Sequence, residues 1–214
     1  MNRSEVRRQL DAGLADLDLR QDEGLADRLA DFLDLLQHWN EAYNLTAVRR
    51  PEEMVPKHVM DSLATLPFLD GERVLDVGTG AGLPGLPLAM ARPGQSFVLL
   101  DASGKKTRFV EHAARRLGLD NVRVVRSRVE DFSDPAGFGR IISRAFSSLK
   151  EFIDRAGHLL ARGGRLLAMK GALPEEELAG LPAGWRLLGV HRLAVPGLEG
   201  ERHVLEFGPK EETT

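Results

Sequence analysis

The chain has 214 residues, a formal net charge of −3 and no cysteine. That length suits one domain, which buries about 70% of the surface its unfolded chain exposes. Without cysteine there is no disulfide framework, no thiolate zinc or iron–sulfur site, and no cysteine nucleophile. The charge is segregated along the chain. Residues 1–70 carry 8 Lys/Arg against 14 Asp/Glu, residues 71–170 carry 17 against 10, and residues 171–214 carry 4 against 8.

Residues 1–70 read as a helical extension. Arg7, Arg8 and Asp11 follow the start where a signal peptide would be apolar. No stretch reaches the ~18 apolar residues of a membrane helix, so a cytoplasmic protein is expected. Leu25, Leu29, Phe32, Leu33, Leu36 and Trp39 recur at three- and four-residue steps, the stripe of a helix packed on a core. Pro51 followed by Glu52 and Glu53 starts a second helix, which carries Met54, Val55, Val59, Leu63 and Leu66 and closes at Pro67.

From Gly71 onward the texture alternates. Val74–Val77, Phe97–Leu100, Val122–Val125, Ile141-Ile142 and Leu166–Met169 are short apolar runs. Leu83–Ala91, Lys105–Leu117 and Leu149–Leu160 between them read as helices. This alternation predicts an α/β fold with a mostly parallel sheet over residues 71–214, covered by helices on both faces. Trp185–Leu193 and His203–Phe207 have no helix between them and read as an antiparallel hairpin.

Asp76-Val77-Gly78-Thr79-Gly80-Ala81-Gly82 follows the first strand of the α/β part and precedes a helix beginning near Pro84. A glycine turn there brings the backbone close to a ligand and aims helix N–H groups at it. A dinucleotide fingerprint needs a third glycine where Leu83 stands, and Gly104-Lys105-Lys106 lacks both the first glycine and the Ser/Thr of a phosphate loop. Asp101 ends the next strand, 21 residues after Gly80. Nucleotide-binding α/β folds place an acid about there for the ribose hydroxyls. D-x-G-x-G-x-G resembles motif I of the class I S-adenosylmethionine methyltransferases, whose Rossmann-like, seven-stranded sheet carries an antiparallel C-terminal strand.

The resemblance narrows over residues 39–203. Trp39-Asn40, Tyr43–Thr46, Lys57-His58, Asp61-Ser62, Asp76–Pro87 (DVGTGAGLPGLP), Leu100–Lys105, Ser127–Glu130, Ile142–Phe146, Met169–Gly171 and Gly200–His203 resemble segments of the bacterial 16S rRNA methyltransferase family RsmG (GidB). The resemblance implies S-adenosyl-L-methionine as cofactor and transfer of its methyl group to guanine N7 at nucleotide 527 of 16S rRNA. The partner would be that rRNA, the 30S subunit or an assembly intermediate, met by a monomer.

On that reading Gly78, Gly80, Gly82 and Leu83 line the methionine part of the cofactor. Asp76 meets its amino group directly or through water, Asp101 its ribose, and Val129 with Glu130 its adenine. No catalytic residue is certain: Arg144, Lys170 and Arg202 are candidates, and Arg144 is open between donating to the guanine O6 edge and to the cofactor. Guanine N7 has a lone pair and no proton, so no general base is required. C5 methylation of cytosine, which uses a cysteine adduct, is excluded. Ser143–Phe146 stands where enzymes of exocyclic amines carry (N/D)-P-P-(Y/F/W). Phe146 is open between base stacking and core packing.

Lys105, Lys106, Arg108, Arg123, Arg126 and Arg128 form the densest basic stretch, read either as phosphate contacts or as a solvated face. His58 is read as a structural partner of Asp61 or a helix contact, and Trp39 and Tyr43 as packing residues. Another RNA, a small molecule or a protein as methyl acceptor, a nicotinamide-dependent oxidoreductase and a non-catalytic RNA-binding protein are the competing readings.

Overall fold

Strand residues alternate between two apolar faces, and that period of two builds the molecule. Val74, Phe97 and Leu99 belong to one buried cluster, while Leu75, Val77, Val98 and Leu100 belong to another on the opposite face. The computed structural model describes residues 2–19, 24–144 and 146–210.

The strands are β1 (Arg73–Val77), β2 (Ser96–Asp101), β3 (Val122–Arg126), β4 (Phe138–Ser143), β5 (Leu160–Lys170), β6 (Trp185–Arg192) and β7 (His203–Pro209). They form one sheet in the order β3-β2-β1-β4-β5-β7-β6. β1 to β5 pair in parallel, and β7 inserts antiparallel to both β5 and β6. The predicted α/β fold and the terminal hairpin are both present. β1 lies between β2 and β4, so the connections from β1 leave in opposite directions. A crevice opens at such a switch point, outside the carboxyl ends of the strands.

Helices α1 (Arg3–Asp16) and α2 (Leu25–Tyr43) lie over the face of Val74 and Phe97, together with α5 (Gly85–Ala91) and α6 (Gly104–Arg116). One continuous apolar cluster therefore joins residues 1–70 to the sheet. Arg3 and Arg7 of α1 pair with Asp31, Asp34 and Asp27 of α2, which neutralises part of the N-terminal acidity. The other face is covered by α7 (Leu149–Ala156), through Phe152, Ile153 and Ala156.

The helix expected from Pro51 to Leu66 is broken into pieces. α3 (Pro51–Met54) opens into a π-helical turn over Val55–Met60, and α4 (Asp61–Leu63) closes it. Pro56 is the cause: it has no N–H to donate and its ring crowds the preceding turn, which the wider π turn relieves. Pro67 sits inside a further short 3₁₀ turn, Leu66–Phe68. A short helix α8 (Glu175–Ala179), not anticipated from the sequence, precedes β6. No helix among the described residues is long and apolar enough to cross a membrane.

Candidate active site

The glycine loop is held from below by the end of β2. Gly78 and Thr79 donate their N–H groups to the Leu100 carbonyl at 2.8 and 3.0 Å. Gly80 donates to Asp101 Oδ2 at 3.0 Å. Gly78, Gly80 and Gly82 have φ of +71°, +60° and +78°, a region that favours glycine. At Gly82 a side chain would also lie 2.7 Å from Leu86 Cγ.

Asp76 is fully buried beneath this loop. The strand alternation that sends Val77 to one face sends Asp76 to the other, under α5. Its Oδ2 accepts from the Thr79 hydroxyl at 2.6 Å and from the Gly85 N–H at 2.9 Å, and its Oδ1 has no partner. Burial pushes the Asp76 carboxyl up to about 6, against those two hydrogen bonds and the charge of Arg144.

A folded-state value above the ordinary 3.8 makes burial costless at low pH and costly once the group ionises. Relative to Asp76→Asn, the native protein is therefore expected to lose on the order of 1–2 kcal/mol as pH rises from about 4 to about 6. Denaturant titrations of both chains at pH 4.5 and pH 7 check this. A gap that does not change with pH would refute it.

A cleft of about 450 Å3 opens at the carboxyl ends of β1, β2 and β3. Gly78, Asp101, Val129 and Glu130 are among its walls, with Lys106, Arg128 and Phe146. Asp101 Oδ1 accepts from the Ser103 N–H at 2.8 Å, and Lys106 Nζ stands 3.6 Å from Oδ2. Glu130 pairs with Arg155 at 3.1 Å.

A second cleft, of about 390 Å3, lies beside it at the ends of β4, β5 and β7. Lys57, Asp61, Arg144, Lys170, Arg202 and His203 are among its walls. Phe146 lines both clefts and packs its ring on Phe152 with centroids 5.0 Å apart. The second cleft is thus mainly cationic and reaches the first across one aromatic ring.

The family model described as GidB, rRNA small subunit methyltransferase G, matches residues 26–205. The chain belongs to the GidB family. It is 52% identical over 180 residues to the Ribosomal RNA small subunit methyltransferase G of Aeromonas salmonicida (strain A449), covering 84% of this chain and 86% of that protein. It is 50% identical over 200 residues to the protein of the same name from Methylococcus capsulatus (strain ATCC 33009 / NCIMB 11132 / Bath), covering 94% and 97%.

Among solved structures, it is similar to a SAM-dependent methyltransferase from Geobacter sulfurreducens in complex with S-adenosyl-L-homocysteine. The TM-score is 0.56 at 15% identity, over 83% of this chain and 98% of that one. It is also similar to the mitomycin 7-O-methyltransferase MmcR, with a TM-score of 0.64 at 15% identity, over 84% and 60%. At such identities the structural likeness speaks to the fold alone.

In this GidB chain the expected site residues fall into three groups. Gly78, Asp101, Val129 and Glu130 wall the first cleft, while Arg144, Lys170 and Arg202 wall the second. Arg144, considered for both cofactor and acceptor, walls the second cleft and not the first. Asp76, Gly80, Gly82 and Leu83 wall neither cleft and instead shape the loop. The Leu83 side chain is buried in the helix-covered core and its N–H donates to the Thr79 carbonyl at 2.8 Å.

His58 is structural, as expected, but not through Asp61. Its ring nitrogens meet Thr46 Oγ1 at 2.8 Å and the Lys57 carbonyl at 3.0 Å, and burial with the nearby Arg144 charge holds it down at about 4. Trp39 stacks on Tyr43 and packs against Phe109, a packing role. Within the basic stretch, Lys105 donates to the Tyr43 carbonyl and Lys106 faces Asp101, whereas Arg108, Arg123, Arg126 and Arg128 are exposed. Ala145 of the Ser143–Phe146 segment lies outside the described residues.

The GidB site also contains a residue given no site role in the sequence reading. Asp61 is buried, yet it meets two of the expected arginines: Oδ2 lies 3.4 Å from Arg144 Nη1 and Oδ1 lies 3.3 Å from Arg202 Nε. Local sequence carries no signal for this, because Arg144 is 83 residues away along the chain.

Proposed function

We propose that this chain transfers a methyl group from S-adenosylmethionine to N7 of a guanine in small-subunit rRNA. The observation that carries the reading is the meeting of the two clefts at Phe146, one walled by Gly78 of the glycine loop and Asp101, the other by Lys57, Arg144, Lys170 and Arg202. The residues of the first cleft suit the cofactor. A backbone loop of positive φ admits its methionine part without side chains in the way, Asp101 accepts from ribose hydroxyls, and the segment at Val129 and Glu130 flanks the adenine. When bound, S-adenosylmethionine supplies an electrophilic methyl group on a sulfonium sulfur.

The chain's own contribution is orientation. Guanine N7 attacks with a lone pair and releases no proton at that atom, so no side chain has to act as base. Alignment of the acceptor with the methyl group supplies the advantage, which for well-oriented reactants reaches ~7–11 kcal/mol. Phe146 offers a ring face on which a base stacks. The exposed Arg128 in the wall of the first cleft adds positive charge there for RNA phosphates. The proposed partner is the rRNA within a 30S subunit or an assembly intermediate, met by a monomer in the cytoplasm. Residues 1–70 act in this reading as a helical extension of one catalytic domain.

The test incubates the protein and labelled S-adenosylmethionine with naked 16S rRNA, assembly intermediates and 30S subunits lacking the modification. Expected is 7-methylguanosine at one mapped nucleotide in at least one of them. A protein that binds the cofactor but yields no 7-methylguanosine on any of the three defeats the reading.

A further inference from the structure

Asp61, Arg144 and Arg202 come from three separate parts of the chain. Asp61 follows the π-helical turn, Arg144 follows β4, and Arg202 precedes β7. Asp61 is 4% exposed, while the side chains of Arg144 and Arg202 are 30% and 33% exposed and line the second cleft. A buried carboxylate thus sits behind two guanidinium groups that open onto a cavity. Burial pushes the Asp61 carboxyl up, and the two arginines oppose this. The arrangement has a cost and a result. Two guanidiniums side by side repel each other, and a shared carboxylate offsets that repulsion, holding Arg144 by a hydrogen bond and Arg202 by an ion pair.

We propose that Asp61 is a positioning residue that clasps Arg144 and Arg202 into one donor fork, and that this fork takes O6 of the acceptor guanine. The inference rests on the guanine-N7 reading above. Arginine ordinarily meets guanine through O6 and N7 together. Here N7 must keep its lone pair for the attack, so the donors converge on O6, whose two lone pairs accept two N–H groups. The fork carries one net positive charge, from two guanidiniums and one carboxylate. It therefore suits a carbonyl oxygen and opposes adenine, whose N6 amine would present a donor to a donor. The cleft also shares Phe146 with the neighbouring cofactor cleft, which makes its occupant the reacting base rather than a distant phosphate.

The experiment compares guanosine with 6-thioguanosine at the target nucleotide, in 30S subunits reconstituted around ligated 16S rRNA. Sulfur at position 6 accepts hydrogen bonds poorly and leaves N7 in place. For the native enzyme, single-turnover methylation of the thio substrate is expected to be slower by at least ~10-fold. For Asp61→Asn, methylation of guanosine itself falls, and the two substrates converge to within about twofold. Calorimetry should find its affinity for S-adenosylmethionine within about twofold of native.

A merely structural role for Asp61 would slow both substrates together and leave their ratio at the native value, which overturns the proposal. So would a loss of cofactor affinity. Arg202→Lys tests the same fork if Asp61→Asn does not fold, because lysine keeps the charge and lacks the planar fork. Its thio ratio is also expected to collapse, and a native ratio there overturns the proposal. Native enzyme that makes no 7-methylguanosine on guanosine-containing naked 16S rRNA, assembly intermediates or subunits overturns the N7 reading itself, a result distinct from an unchanged ratio.

Discussion

Gly80→Asp is expected to weaken S-adenosylmethionine binding by at least ~100-fold and to abolish methylation in the chain that remains folded. The cause is charge rather than crowding. A Cβ on Gly80 meets nothing nearer than the Gly78 carbonyl oxygen at 3.8 Å, so the turn has room for a side chain. The φ of +60° strains any L-residue by roughly 1 kcal/mol, and aspartate tolerates it better than most. The Gly80 N–H, however, is bonded to Asp101 Oδ2. A second carboxylate on the same residue stands a few ångströms from Asp101, where like charges repel by about 4 kcal/mol at 4 Å and an effective dielectric constant of 20.

Three substitutions separate these contributions. Gly80→Ala carries the strain alone and should cost about tenfold or less in affinity. Gly80→Asn adds the size without the charge and should resemble alanine. Calorimetric titration with S-adenosylmethionine reads all three. Native affinity in Gly80→Asp would show the site to be elsewhere, and equal losses in all three would make the loop's backbone, not the charge, the cause.

Asp101→Asn is expected to cost about 10- to 100-fold in cofactor affinity, although it is nearly isosteric. Both carboxylate oxygens of Asp101 accept from backbone donors, Oδ1 from the Ser103 N–H and Oδ2 from the Gly80 N–H. An amide has only one oxygen. Whichever way it is turned, its NH₂ faces one of those N–H groups, and either the glycine loop or the start of α6 loses its anchor. The ion pair with Lys106 goes as well. Asp101→Ala, which leaves donors unpaired without forcing two together, should be no worse than asparagine. This order reverses the usual expectation for a conservative change. Binding by asparagine at the native level would remove Asp101 from the site.

The features legible in the sequence share one property: they are local. Short apolar runs at Val74–Val77 and Phe97–Leu100 identify strands because a strand covered on both faces presents an apolar residue to each in turn. Gly78, Gly80 and Gly82 identify a turn of positive φ because other residues seldom take it. Where the local pattern was misread, a neighbouring residue explains it. The helix from Pro51 is interrupted because Pro56 removes a donor, and the spacing of Val55, Val59 and Leu63 does not register that loss.

The division between sequence and fold is sharpest at the second cleft. Composition, apolar periodicity and the glycine motif are enough to establish an α/β chain with a nucleotide-type loop and no cysteine chemistry. They also establish that basic residues gather in residues 71–170. They do not say which basic residues act together. Lys57, Arg144, Lys170 and Arg202 meet only because β4, β5 and β7 end on the same edge of the sheet, and Asp61 reaches two of them only because the π turn delivers it there. Spacing along a chain encodes contacts within a helix or strand. Contacts between elements depend on the strand order, which no local pattern contains, and in this protein the strand order makes the second cleft.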